Sequence, residues 1–151
     1  MKKQLFFPFV LVTAGFFFFS SCNKNDTPAA KTKTELITQG SWKFKGATVN
    51  GGDISASLQT CQKDNVMTFT VALTGAVDEG PTKCNAADPQ TNPFTWNFAA
   101  SETMVHISTV LFTGGSSDFA LVSLSETGLV VSQPYSVGPG VPQTIVLTFQ
   151  H

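Results

Sequence analysis

The stretch SWKFKGAT, residues 41–48, alternates apolar or small side chains with lysines. Trp42 and Phe44 fall with Gly46 on one face, and the two lysines fall on the other, which is the two-residue period of a β-strand. An antiparallel sheet with one buried and one solvated face produces this alternation. The stretch therefore predicts an antiparallel strand whose aromatic face is buried in a core.

Seven further segments have the composition or alternation of short strands and are separated by turn residues. They lie at residues 66–71, 76–79, 93–99, 103–112, 118–124, 129–133 and 144–150. The Pro/Gly-rich stretch Pro134–Pro142 is predicted to be a loop outside any sheet interior. Eight short strands with hairpin-length connections favour an all-β, eight-stranded antiparallel up-and-down barrel. An open two-sheet sandwich is the alternative.

The inward positions of these strands are mostly large and apolar. Val71 follows Met67 and Phe69 on an inward face, whereas Gly46 and, if its strand keeps register, Ser123 are small inward residues. We expect a partly filled lumen, with any pocket shallow and near one rim. These aromatics are first of all core and secondly walls for an apolar ligand. The candidate ligand-lining residues are Trp42, Phe69, Trp96, Phe98 and Tyr135.

The segment before the first strand has a helix start followed by a helix stop. Thr32-Lys33-Thr34-Glu35 fits a capping box, and Gly40 can end the turn, so a short helix is predicted at about 33–39. Residues 22–34 are predominantly polar without apolar periodicity, which predicts a flexible tether. The barrel domain is predicted to occupy residues 35–151.

The N-terminal residues have the features of a secretory signal peptide. Lys2 and Lys3 precede an apolar run, Leu5–Phe19, that is too short to span a bilayer and is typical of a signal-peptide core. The run ends in Phe19-Ser20-Ser21-Cys22, which resembles a bacterial lipobox: small residues for the peptidase and a thiol for the lipid. The sequence predicts that residues 1–21 are removed and that Cys22 is lipidated. The alternative is an ordinary signal peptide with an incidental cysteine.

The signal peptide and lipobox-like motif predict a lipoprotein of the Gram-negative cell envelope. Its N-terminal lipid is expected to hold it in a membrane, with the outer membrane as the expected site. Multiple acyl chains, at about 0.8 kcal/mol per buried methylene, anchor a protein stably. Neither the leaflet nor the face of the membrane follows from the sequence.

Four short motifs stand out in the chain from about Leu36 onward. They are Gly40-Ser41-Trp42, Cys61–Asn65 before Phe69, Asp78-Glu79-Gly80 before Lys83-Cys84, and the hairpin Leu124–Val131. Through these motifs the chain resembles the lipocalin-like domains of bacterial lipoproteins. The resemblance implies an eight-stranded barrel with a lumen but no particular ligand. In lipocalins the Gly-x-Trp tryptophan packs under the barrel floor beside an arginine, and this chain has no arginine.

Two cysteines remain once Cys22 carries lipid. In an exported domain Cys61 and Cys84 are expected to form a disulfide, closing a loop of 24 residues counted inclusively. The alternative, a redox pair, lacks the Cys-x-x-Cys spacing. Together with Pro134–Pro142, the segment between these cysteines is predicted to shape a rim of the barrel.

Other residue types give little support for catalysis or metal binding. His106, inside a strand, is expected to face solvent, and His151 is the last residue. Asp78 and Glu79 lack the spacing of a calcium loop and are interpreted as a solvated turn. No Gly-x-Ser-x-Gly elbow is present. We therefore expect no catalytic site, no metal and no cofactor.

Charge restricts the class of partner. All nine basic residues are lysine, and from Glu35 onward four Lys oppose nine Asp and Glu, a net of −5. Without arginine or a basic patch, nucleic-acid binding is not expected. The expected function is a non-enzymatic binding module for a small apolar or amphipathic ligand. The alternative is an interaction protein, such as an inhibitor or accessory subunit, that acts through its loops around a filled barrel.

The lipobox prediction is tested by Cys22→Ala. Without the thiol no lipid can be attached, so the variant should be released from the membrane or keep its signal peptide. Membrane fractionation with intact-mass analysis distinguishes these forms. A mature-length acylated variant still in the membrane fraction would show that Cys22 is not the anchor.

Overall fold

The computed structural model describes residues 29–112, 114–136 and 140–151. The predicted signal peptide, Cys22 and the first part of the tether lie outside these residues. Within them, no helix combines the length and the apolar character needed to cross a membrane.

The described residues form one antiparallel sheet that closes on itself. The strands are β1 (Ser41–Val49), β2 (Gly52–Asp53), β3 (Val66–Phe69), β4 (Thr74–Asp78), β5 (Thr91–Ala99), β6 (Met104–Ile107), β7 (Asp118–Leu124), β8 (Gly128–Tyr135) and β9 (Gln143–Gln150). From β3 onward each strand pairs with the next along the chain, and β1 pairs with both β3 and β9, as in Trp42↔Met67 and Phe44↔Phe149. The two-residue β2 pairs only with the end of β1, so the closed ring has eight strands, as predicted, and the sandwich alternative is wrong.

A short helix, α1 (Lys33–Ile37), precedes the barrel. The predicted capping box is present: the Glu35 N–H donates to Thr32 Oγ1 over 3.2 Å, and the Thr32 N–H donates to Glu35 Oε2 over 2.7 Å. The bond from the Thr32 backbone lowers the pKa of Glu35. At the other end of the helix Ile37 is fully buried. The capping box therefore fixes the helix that delivers Ile37 to the core.

The connections between strands divide the barrel into two unlike ends. The helix end carries α1 and the tight hairpins that join β3 to β4, β5 to β6 and β7 to β8. The loop end carries the longer connections that follow β1, β4, β6 and β8. The first of these contains a 3₁₀ turn (Ser55–Ser57) and the helix α2 (Thr60–Lys63).

A β-bulge corrects the predicted inward face of β1. Its pairing with β9 skips one residue between Phe44 and Gly46, so the alternation changes phase there. Ala47 is buried as a result, whereas Gly46 was predicted to point inward and is only half-buried. The Ala47 N–H donates to Ser55 Oγ over 2.9 Å, which ties the 3₁₀ turn to the bulged strand.

A second bulge affects β7, where the pairing with β8 skips a residue between Leu121 and Ser123. Ser123 was a predicted inward residue on the condition that its strand kept register. The strand does not keep register, and Ser123 is exposed. Beside it, Val122 has 58% of its surface exposed.

Three predicted strand boundaries are also wrong. β3 ends at Phe69, so Val71, predicted inward, is 75% exposed in the following turn. β6 ends at Ile107 instead of continuing to 112. β8 continues through Pro134 and Tyr135, which were predicted to be loop; beyond Ser132 it pairs only with β9, and proline is tolerated where a strand has one neighbour.

A disulfide braces the loop end. Cys61, in α2, is bonded to Cys84, in the connection from β4 to β5, with their Cα atoms 5.1 Å apart. This confirms the predicted pairing. On the loop-entropy account, a bridge closing a loop of this size stabilises the fold by about 3 kcal/mol.

Trp96→Ala tests the predicted inward face of β5. Trp96 is 2% exposed, its ring meets those of Phe69 and Phe98 edge-on at centroid distances of 5.4 Å, and its Nε1–H donates to the Thr70 carbonyl over 3.2 Å. The variant should lose about 3–5 kcal/mol of unfolding free energy. Chemical denaturation measures it, with the exposed neighbour Thr95→Ala as the control, expected to lose less than about 1 kcal/mol. A loss below about 1 kcal/mol in Trp96→Ala would mean that the faces are reversed.

Candidate functional site

The barrel lumen is filled by side chains. Apolar residues from β3, β6, β7, β8 and β9 surround the space that remains in it, with Ile37 at the helix end and Leu111 from the connection after β6. Among the described residues, the volume open to the centre of a water molecule is about 10 Å³, which is room for about one water. The residues around it are Ile37, Met67, Phe69, Val105, Ile107, Leu111, Phe119, Leu129, Val131, Leu147 and Phe149.

A close contact on β4 shows how tightly this interior is packed. The ring of Phe94 lies directly over Gly75, and a Cβ atom at Gly75 would come within 2.3 Å of it. The glycine thus leaves the room that the aromatic ring occupies. The two residues are paired across β4 and β5, so the fit is set by the register of the sheet.

The structure separates the five candidate ligand-lining residues. Phe69 borders the residual space of the lumen. Trp96 and Phe98 continue from it in an edge-to-face series along the core. Trp42 lies at the helix end and Tyr135 at the loop end. They do not surround one common pocket.

Trp42 forms the floor of the barrel at the helix end. It is fully buried, and its Nε1–H donates to the Ile37 carbonyl over 2.8 Å. The ring of His151 lies against it with a centroid distance of 3.8 Å, and His151 Nδ1 is 2.8 Å from the Ser41 carbonyl. A Cβ atom at Gly40 would come within 3.2 Å of the same histidine ring, which explains why glycine suits that position.

At the loop end a buried amide joins β8 to the connection between β6 and β7. Gln133 is 2% exposed, and its Oε1 accepts hydrogen bonds from Ser116 N at 2.6 Å and Ser116 Oγ at 2.8 Å. Among the residues that the structure describes, its buried Nε2 has no hydrogen-bond partner. The nearby rings of Phe112 and Tyr135 have centroids 5.8 Å apart. The sequence analysis missed Gln133, although a lone polar residue in phase with Leu129 and Val131 was a usable signal.

The acidic residues near the disulfide are engaged in turns. Asp78 Oδ1 accepts from Gly80 N at 2.8 Å and Gln90 Nε2 at 3.0 Å, and these bonds lower the pKa of Asp78. Asp64 Oδ2 accepts from the backbone and hydroxyl of Thr82. Over the part of the chain that the structure describes, no three His, Cys, Asp or Glu side chains are grouped to hold a metal ion.

The outer wall holds a His–carboxylate pair that the sequence analysis did not anticipate. His106 Nδ1 is 2.7 Å from Asp118 Oδ1 across β6 and β7, and the side chains are 42% and 53% exposed. Among the hydrogen bonds of the described residues, none joins His106 to a serine or threonine hydroxyl. The arrangement is that of a cross-strand polar pair.

Comparison with known proteins adds no family to this description. No protein-family model matches the chain, and no curated protein matches its sequence. The filled lumen and the two unlike ends are therefore the observations from which a function is argued.

Gln133→Leu tests whether the buried amide holds the β6–β7 connection in place. The change removes the acceptor of Ser116 N–H and should cost about 1–3 kcal/mol of unfolding free energy. Ser116→Ala keeps the backbone bond and should cost less. Equilibrium denaturation of both variants measures the difference. A Gln133→Leu protein more stable than wild type would show that the amide is retained at the expense of stability.

Proposed function

We propose that this protein is a lipid-anchored, non-enzymatic binding protein of the Gram-negative envelope whose barrel is a scaffold and whose loop end contacts a protein partner. The observation that carries the proposal is the filled lumen. Among the described residues the lumen has space for about one water molecule, far less than a ligand of ordinary size occupies. This favours binding through the outer surface.

Anchoring is supported by the lipobox-like sequence and by the end of the barrel at which the segment before α1 is held. Ala29 leads into a segment held at the helix end, where Lys31 Nζ is 2.8 Å from Glu126 Oε1. Lys33 Nζ donates to the Glu102 carbonyl over 2.6 Å. The bond from Lys31 lowers the pKa of Glu126, so the pair persists until the pH falls through the lowered value. A tether leaving the helix end would direct the loop end away from the membrane.

The lipocalin-like resemblance gains support from the barrel floor. Trp42 of the Gly-x-Trp motif lies there, under Ile37 and against His151. His151 directly follows the last strand and covers the tryptophan as an arginine does in lipocalins.

The loop end offers a surface suited to a protein partner. The connections from β6 to β7 and from β8 to β9, residues 108–117 and 136–142, contain no charged residue in the sequence. Val110 and Val141 expose 51% and 87% of their surfaces there. Exposed apolar side chains on an uncharged rim are typical of an interaction site. The disulfide braces the opposite, charged part of the same end.

A small ligand in the lumen is a second candidate, favoured by one observation. Gln133 Nε2 is a buried donor that finds no partner within residues 29–112, 114–136 and 140–151. An apolar molecule with one carbonyl or ether oxygen could accept from it. Leu111, which lines the lumen, would have to move to admit such a molecule.

Site-specific photo-crosslinking in cells tests the loop-end proposal. A photoreactive phenylalanine analogue placed at Val110 or Val141 should yield a discrete protein adduct. The matched control is Val122, which is 58% exposed on the outer wall. Adducts at neither loop-end position, or the same adduct from Val122, would contradict the proposal.

A further inference from the structure

The hairpin between β3 and β4 presents an apolar tip to solvent. Val71 is 75% exposed and Leu73 is 49% exposed, with Ala72 exposed between them. Leu73 has φ +61°, in the left-handed region that is costly for a branched side chain. Neither Val71 nor Leu73 belongs to the barrel core. Fold stability therefore does not explain these residues.

Hydrogen bonds at the base of this tip pair the backbone groups of Thr70, Leu73 and Thr74. Thr70 N donates to the Thr74 carbonyl over 2.8 Å, and Leu73 N donates to the Thr70 carbonyl over 3.0 Å. Trp96 N donates to the Leu73 carbonyl over 2.9 Å. The Thr70 and Thr74 hydroxyls are 2.8 Å apart. Internal pairing lowers the cost of moving a backbone turn from water to a less polar medium.

The tip lies at the helix end, where the chain departs toward Cys22. The other two hairpins at this end are polar, ASET at residues 100–103 and SET at 125–127. Seven residue steps separate Cys22 from Ala29, a reach of at most about 25 Å. A lipid at Cys22 would thus keep the tip close to the headgroups.

We propose that the apolar tip, Val71–Leu73, inserts into the interfacial region of the bilayer that holds the Cys22 lipid. This inference rests on the proposed anchoring. A flexible tether alone lets a barrel tumble, whereas a second contact on the barrel fixes its orientation with the loop end outward. The tether favours a lipid surface as the partner of the tip, because the covalent link to Cys22 holds the bilayer close to it. No such link holds a protein partner there.

Depth-dependent fluorescence quenching tests this contact in the full, lipidated protein. Val71→Trp and, as the matched position at the loop end, Val141→Trp are reconstituted into vesicles with or without brominated acyl chains. The native Trp42 and Trp96 are 0% and 2% exposed, and the wild-type signal supplies their background. Bromines near the interface should quench about half of the added emission in Val71→Trp and none in Val141→Trp. Ala72→Trp is a second tip position should Val71→Trp fold poorly.

Vesicle flotation separates failure of this inference from failure of the anchoring. Lipidated protein that floats with vesicles while both tip variants stay unquenched overturns tip insertion and leaves the anchor intact. Quenching of Val141→Trp instead would show the opposite orientation and overturn the inference. Protein that does not float overturns the proposed anchoring, and the inference falls with it.

Discussion

The pairing of β1 with both β3 and β9 is the constraint on which the rest of the structure depends. It closes the sheet, removes both sheet edges and creates an interior that side chains must fill. At eight strands the interior can be filled completely, and large residues such as Phe69 and Phe119 fill it here. Closure also divides the connections between two ends. The segment before α1 is held at one of those ends, and the uncharged connections lie at the other.

The strands and the barrel were predictable because alternation is local. The eight residues SWKFKGAT show by their alternation which face is apolar and which is polar. Seven similar segments joined by short connections allow few arrangements of a closed sheet. The bulges at Phe44/Gly46 and Leu121/Ser123 were not predictable, because a skipped residue is defined only against the partner strand. β3 ends earlier than predicted because the chain turns at Leu73, which has a left-handed backbone conformation. A leucine in the sequence does not indicate such a conformation.

Some contacts of the site residues could likewise be predicted from the sequence, and others could not. The Cys61–Cys84 bridge could be predicted because an exported domain favours disulfides and only two cysteines remain after Cys22. The contacts of Trp42 with His151, of Gln133 with Ser116 and of His106 with Asp118 join residues far apart in sequence or on neighbouring strands. No local pattern encodes them. The five aromatic candidates were chosen by type, and the barrel distributes them along its length because inward positions occur at every level.

A packed barrel has a physical consequence for how the protein can act. Enlarging the interior would require removing core contacts, whereas the outer ends can change contacts without disturbing the core. The helix end combines the tether, the Lys31–Glu126 pair and an apolar hairpin tip. The loop end combines a disulfide with an uncharged rim. This asymmetry suits a protein that faces a membrane on one side and a partner on the other.

Native mass spectrometry of the protein purified from its own host tests the packed-scaffold account most directly. The account predicts the mass of the acylated, disulfide-bonded polypeptide with no small molecule retained under conditions that preserve non-covalent complexes. A stoichiometric ligand that stays bound, and that is lost when the barrel unfolds, would contradict it.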